Sequence, residues 1–405
     1  MELLRYMISN ILRRPLRAVF VVVAGFLSAV VLVFSFALGA HTTEHVRSDT
    51  IAKWTGHLWV SRATGFEFKE EQLASYQKQA AFERRYLLDS PNSAVVVPWY
   101  MGVTEMQAGT SRAFVMFAAA DFQKDAQFVS HTELSDGRFP GPDDEYGVLI
   151  TTVFAEKYHL AVGNSITVFI STAFGQRNAM DFIITGISRP SAPWYDEQIV
   201  IRAQDYMSMA DLGDAFPFYK VYVKDESRIP AMVKDLKAGV TDFPVKGYRD
   251  DDFVRFLLSL GTTNTMLFGF MAMIIFLALL IGIRSVILTN IFDRRDEIGT
   301  LRALGFPRGS VRNLFFGESL VSLLVGYLLG VGAVGLIDLW FRARIVRPPL
   351  LMLQYMFGMT RMALTMNATS IVVPFLLLFL VLFATTFRTV SRETEKQAVI
   401  QMANR

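Results

Sequence analysis

The chain of 405 residues contains no cysteine. An exported segment must therefore fold without disulfides, and neither a thiolate metal site nor a cysteine nucleophile can exist. No Gly, four residues, then Gly-Lys-Ser/Thr run occurs, which excludes P-loop ATP hydrolysis within these residues. Charge is scarce, at 19% of residues, and is missing altogether from 18–40 and 256–283. No charged residue stands in the middle of any long apolar stretch, which argues against a transporter driven through a carboxylate relay. The net charge of +3 comes partly from clustered arginines and gives little ground for a nucleic-acid partner.

What is present is a set of four apolar stretches, 18–40, 256–283, 319–337 and 363–387. As helices rising 1.5 Å per residue, they can cross a hydrocarbon core of about 30 Å. The second exceeds that need and is expected to tilt or to project as a stalk. The first is too long for the apolar region of a signal peptide, so it is expected to stay in the membrane although small residues close it at 37–40. Lys and Arg gather beside helix ends on the cytoplasmic side. Arg5, Arg13, Arg14 and Arg17 precede the first stretch. Arg284, Arg294, Arg295, Arg302, Arg308 and Arg312 fill 284–318, and Arg388, Arg392, Lys396 and Arg405 follow the last. They outnumber Arg342, Arg344, Arg347 and Arg361 of the loop at 338–362. Both termini are thus expected in the cytoplasm and residues 41–255 outside it.

The expected fold class is a membrane α-helical protein of four transmembrane helices with a large extracytoplasmic α+β domain of two lobes. Residues 58–60, 94–100, 219–223 and 243–248 read as strands, with helices at 68–88 and 229–237. These two strand-helix-strand units predict one lobe from 41–100 and 204–255, with a second lobe, 101–203, inserted between them. The insert reads as strand-rich at 112–119, 165–171 and 181–187. Turns are marked by Gly137, Pro140, Gly141 and Pro142 and by Gly163-Asn164, and a hairpin tip is expected at 172–180.

Two small constellations invite chemistry. His41-Thr42-Thr43-Glu44-His45 matches an H-x-x-E-H zinc pattern. His57, His131 and His159 stand in no supporting motif that would supply a third ligand, and the run simply marks exit from the bilayer, so no metal is expected. Gly326 and Gly330 form a small-xxx-small pair suited to close helix packing. Asp338 lies at the end of the third stretch as an interfacial residue.

Before the first stretch, Leu4, Met7, Ile8, Ile11 and Leu12 stand at helical spacing, predicting an amphipathic cytoplasmic helix over 1–17 that ends in a bend at Pro15. The loop at 284–318 carries the most specific run, with Arg294, Arg295, Glu297, Ile298, Gly299, Leu301, Arg302, Leu304 and Gly305. Ile298, Leu301 and Leu304 make one apolar ridge between charged flanks, and Gly305 and Pro307 supply the stop. Such a ridge suits insertion into the groove of a soluble partner or packing on the membrane surface.

That run, followed by Glu318-Ser319 and a glycine-rich helix, resembles the permease domain of the FtsX-like superfamily, which includes MacB-type efflux permeases and the LolC and LolE lipoprotein-releasing permeases. Asn10-Ile11-Leu12-Arg13-Arg14, Gly137-Arg138-Phe139 and 161–164 resemble further family patterns. The resemblance implies a dimer with a second copy or homologous permease in the bacterial inner membrane, bound to a cytoplasmic ABC ATPase dimer. Residues 297–304 would be its coupling helix. ATP and magnesium would sit in that ATPase, and this chain would need no cofactor and be no enzyme by itself. The implied activity is lipoprotein or lipid release, with a lipoprotein substrate or periplasmic partner. Thr55-Gly56-His57-Leu58 resembles a segment of that branch, and the short, proline-free 172–180 fits a LolE-like or unassigned role rather than a LolC-like one. Alternatives are MacB-like efflux of small molecules or peptides, and non-transporting control of cell-wall hydrolases, whose regulator has a smaller external domain.

Overall fold

The computed structural model describes residues 15–61, 92–172, 174–212, 218–239, 245–293, 299–300, 304, 307–344 and 346–403. The expected helices over 1–17 and 68–88 lie mostly or wholly outside these. In chain order the elements are α1 (Pro15–Thr50), a π-turn (Ile51–Thr55), β1 (Leu58–Ser61), β2 (Ser93–Ala108), β3 (Ser111–Ala120), α2 (Ala126–Ser130), β4 (Glu133–Gly137), β5 (Gly147–Thr151) and α3 (Thr152–Tyr158). There follow β6 (Ser165–Ser171), β7 (Arg177–Arg189), β8 (Gln198–Arg202), α4 (Ala203–Ala210), β9 (Phe218–Val223), α5 (Ile229–Gly239) and β10 (Val245–Gly247). Four long or short helices follow among the described residues, besides the helical 299–300: α6 (Asp252–Asp293), α7 (Arg308–Arg344), α8 (Leu351–Phe357) and α9 (Ala368–Ala403). Two compact units divide them. One comprises 1–43, 262–346 and 362–405; the other comprises 44–261 and 347–361.

In the first unit the helices are set by long runs of Leu, Val, Phe and Ala. Pro15 opens α1, where its missing N–H costs nothing. Asn367 and Ser370 cap α9 reciprocally, each side-chain oxygen accepting the other's backbone N–H at 2.8 and 2.9 Å. Among the described residues, three helical stretches, Val19–Thr55, Asp252–Ile275 and Phe316–Arg344, are long and apolar enough to cross a membrane. The stretch expected to cross fourth is shorter, at Ala368–Ala384. Phe316 packs edge-on against Phe379 and Phe383, and the Tyr327 hydroxyl donates to the Ile371 carbonyl, joining α7 to α9.

In the second unit, one ten-stranded sheet runs through the segments expected to form two lobes, in the order β10-β1-β9-β2-β3-β8-β5-β7-β4, with β6 between β2 and β7. The strands from the two ends of the domain interleave, since β1 pairs antiparallel with both β9 and β10, and β2 with β9. The period-2 alternation sends Leu58, Val60, Val221 and Val245 to one face, where Met232, Val233 and Leu236 of α5 cover them. Burying each such side chain stabilises the fold by about 1.5–3 kcal/mol. The inserted strands enclose a second core around Ile150, Phe154, Val168, Phe182, Ile199 and Tyr206.

Differences from the sequence reading concern short buried pieces. β5 and β8 are buried almost throughout, so they show no alternation. The hairpin tip is shorter than 172–180, because β6 and β7 pair as far as Ser171 and Arg177. The strand expected at 243–248 is described only as β10.

Candidate functional site

The two glycines singled out from sequence lie where α7 meets α1. A Cβ on Gly326 would stand 2.1 Å from the Val22 carbonyl oxygen, and one on Gly330 would stand 2.5 Å from the Ala29 Cβ. Gly25 approaches Leu323 from the other side, its Cβ position 2.9 Å from the Leu323 carbonyl. Backbones this close are possible only without side chains, which is how small residues pack helices in lipid.

Of the run singled out at 294–305, Gly299 and Leu304 are described. The Leu304 N–H donates to the Thr300 carbonyl at 3.0 Å, and the Leu304 side chain is 71% exposed. Gly299 has open space where a Cβ would go. Arg294, Arg295, Glu297, Ile298, Leu301, Arg302 and Gly305 lie outside the described residues.

At its far end α1 widens into the π-turn and stops at Gly56, whose φ of +67° suits glycine and whose backbone packs on Lys220 and Val221. Two buried lysines fasten this tip. Lys53 lies 3.2 Å from Asp49 Oδ1 and donates to Ser191 Oγ at 2.5 Å. Lys220, reaching from β9, lies 2.5 Å from Asp125 Oδ2, donates to the Ala52 carbonyl at 2.8 Å, and sits 3.8 Å over the Trp99 ring. The Tyr222 hydroxyl donates to the other oxygen of Asp125 at 2.9 Å, and Asp125 also caps α2 by accepting from Phe128 N–H. Burial pushes the Lys220 amine down and the Tyr222 phenol up. The cluster therefore ties the end of α1 to β9 and to the start of α2.

Arg47, His57 and Glu226 form a looser group beside it. Arg47 donates to Glu226 at 3.0 Å, and His57 accepts from the Val223 N–H through Nδ1 at 3.1 Å. Burial pushes the His57 imidazole down, and the Glu226 carboxylate only partly counters this.

A cavity of about 340 Å³ opens on the sheet face opposite the α5 side, lined by Trp54, Trp59, Trp99, Phe218, Lys246 and Phe253. Trp59 and Lys246 alternate with the inward-facing Leu58 and Val245, which is why a sequence read for its apolar face alone did not reveal this surface.

The H-x-x-E-H residues are engaged separately. His41 Nδ1 meets Thr365 Oγ1 at 3.1 Å, Glu44 pairs with Arg47 at 2.8 Å, and His45 Nε2 donates to the Ser191 carbonyl at 3.3 Å. Among the described residues no group of three or more His, Cys, Asp or Glu side chains could hold a metal ion. Asp338 organises a turn instead, accepting from Leu364 N–H at 2.8 Å and from Arg342 at 2.9 Å.

The segment 190–196 receives a further partner, the end of the loop at 347–361. Thr360 donates its N–H to the Ser191 carbonyl at 3.1 Å and its hydroxyl to the Pro190 carbonyl at 2.6 Å, with a longer hydroxyl contact to the Ser191 carbonyl at 3.4 Å. Arg361 pairs with Glu133, which also holds Arg189. Asp196 is pushed up to about 6 by burial and by neighbouring Glu197, against the pull of Arg347.

Residues 18–238 match the model of the MacB-like periplasmic core domain, and residues 257–395 match that of the FtsX-like permease C-terminal domain. A macrolide export ATP-binding/permease protein MacB of Sodalis glossinidius is 32% identical over 93 residues, 23% of this chain and 14% of that protein. An uncharacterised ABC transporter permease of Mycobacterium tuberculosis is 25% identical over 199 residues, 47% of this chain and 23% of that protein. The MacB of an Azoarcus species is 29% identical over 170 residues, 39% of this chain and 26% of its own length. The matches thus span about a quarter or less of these relatives. Among solved structures, the periplasmic region of MacB from Actinobacillus actinomycetemcomitans aligns at a TM-score of 0.34 and 13% identity, over 50% of this chain and 93% of that one. The extracellular domain of YknZ from Gram-positive bacteria aligns at 0.31 and 10%, over 47% and 98%. With the periplasmic core model covering more than half of the chain and the permease model most of the remainder, this membrane-embedded protein belongs to the FtsX-like permeases that carry a MacB-like periplasmic core domain.

Proposed function

We propose that the chain is the permease of an ABC transporter that converts ATP hydrolysis in an ATPase outside these residues into movement of its soluble unit. The observation that carries this reading is the continuity of α1. One helix runs unbroken from Pro15 to Thr50 and ends in a tip clamped by two buried lysines, so a displacement along it has no slack to be lost in. Four crossings in the bacterial inner membrane, with both termini cytoplasmic and 41–255 outside, are the arrangement the arginine distribution supports. Two permeases would face an ATPase dimer, with 297–304 as the coupling helix. The exposed Leu304 fits such a seat.

For the substrate, relatives named as macrolide exporters favour efflux of amphipathic small molecules or peptides over lipoprotein release. Release of a lipidated protein is the second reading, supported by Thr55-Gly56-His57-Leu58, where Gly56 takes a positive φ.

Affinity capture of the full chain from its native membrane should recover an ABC ATPase. Leu301→Asp or Leu304→Asp should abolish that capture while leaving the chain folded. Undiminished capture by both variants would defeat the docking claim. Mass spectrometry of co-purifying molecules separates the substrate readings, small solutes supporting efflux and acylated proteins supporting release.

A further inference from the structure

The loop between α7 and α9 carries a short helix with two apolar sides. From Leu350 to Thr360 there is no charged residue, and the Gln354 side chain is turned back to the Pro348 carbonyl at 3.1 Å. One side of α8 is held by the soluble unit. Phe357 and Met359 are buried, and Gly358, at φ +63°, leaves its α-carbon against Val46 and Trp194 where a Cβ would collide. The Thr360 and Arg361 contacts described above lock the same edge to 190–191 and Glu133.

The opposite arc is bare. Leu351, Met352 and Tyr355 fall within about 100° of one another on the helix. They are 58%, 72% and 48% exposed, and Leu350 just before them is 61% exposed. A helix facing water would place polar side chains on this arc. The patch amounts to four side chains, well short of the roughly 800 Å² per partner that a stable protein interface needs, so a second copy is a poor match. Its covalent surroundings match a bilayer better. α7, an apolar helix of membrane-crossing length, ends at Arg344, and the six residues before Leu351 reach at most about 20–25 Å. Arg344 and Arg347, both exposed, stand in or beside that connection and carry the charge that pairs with lipid phosphates, and Tyr355 has the amphipathic ring enriched at membrane boundaries.

We propose that Leu350, Leu351, Met352 and Tyr355 bed into the lipid leaflet on the soluble unit's side, making 347–361 a lipid-seated strap whose other edge grips the segment at 190–196. The inference uses the membrane-embedded character of the chain but not its transport activity. Movement of the soluble unit would then drag the strap through the lipid boundary.

Because the chain has no cysteine, single-site labels are clean. Leu351→Cys, Met352→Cys and Tyr355→Cys would each carry an environment-sensitive fluorophore in the full chain reconstituted in lipid nanodiscs, with Thr110→Cys at the exposed β2–β3 turn as the reference in water. The first three labels should be quenched several-fold more by a nitroxide placed shallowly on the acyl chain than by aqueous iodide, and Thr110→Cys should show the reverse. Iodide quenching equal to the Thr110→Cys value would overturn the proposal. So would protection from iodide without nitroxide quenching, which means that protein covers the arc. Since no transport is measured, failure here leaves the permease reading standing.

Discussion

Lys220 and Asp125 face each other at 2.5 Å with side chains 1% and 0% exposed. Removing two charges from water costs several kcal/mol per ion, and their attraction repays that only when the remaining hydrogen-bonding capacity is filled. Here the Ala52 carbonyl accepts from Lys220, and Tyr222 and the α2 N-terminus both donate to Asp125 Oδ1, leaving Oδ2 to the ion pair alone, so the pair is bound up with the position of the α1 tip.

Replacing one partner exposes that dependence. Lys220→Met should destabilise the chain by about 3–5 kcal/mol, since Asp125 is left as a buried, uncompensated charge. Adding Asp125→Asn, which keeps the cap on α2, should recover part of the loss. Thermal unfolding of the detergent-solubilised chain measures both, and equal melting of the single and double variants would show that the charge is not what matters.

Gly326→Ala should cost about 1–3 kcal/mol and loosen α1 from α7, because the new methyl group meets backbone that cannot yield. Gly332 of the same helix has open space around its Cβ position, so Gly332→Ala should leave stability unchanged or slightly raised. The contrast between the two melting temperatures is the measurement.

Asp196 gives a pH signature. Its folded-state value of about 6 lies above the ordinary 3.8, so the folded protein holds the proton more tightly than the unfolded chain. The stability this supplies is complete below about 4 and is lost as pH rises through about 6. Half exposure reduces the effect to about 1–2 kcal/mol. Asp196→Asn should flatten the fall in stability between these values, and chemical denaturation at a series of pH values would reveal an unchanged slope if the reading is wrong.

Thr360→Val keeps the shape but deletes the hydroxyl's bond to the Pro190 carbonyl, and should cost about 1 kcal/mol. Amide hydrogen exchange should rise locally over 351–361 and 190–196 and not in the strands at the far edge of the sheet.

Much of this architecture was legible in the residues. Long apolar runs announce α1, α6 and α7, and alternating β-branched residues place β1, β3, β6 and β9. The strand-helix-strand order at both ends of 41–255 predicted that these ends belong together; in the structure β1 pairs with β9 and β10, and β2 with β9. Buried central strands such as β5 carry no alternation to read, and α2 and α3 are too short for a helical period to emerge. The Lys220 cluster was hidden for another reason. Asp125, Lys220 and Ala52 are far apart in the chain, and nothing local marks a lysine that will be buried. The docking of 347–361 likewise depends on backbone carbonyls of 190–191, which no side-chain pattern encodes.

β2 runs for 16 residues without a break, pairing through 93–98 with β9 and through 99–108 with β3. One strand therefore joins β9, which carries Lys220, to the β2–β3 hairpin, so a tilt beside α1's tip has a continuous backbone path toward Gly109. Whatever that distant turn touches would be coupled through this one strand to the tip of α1.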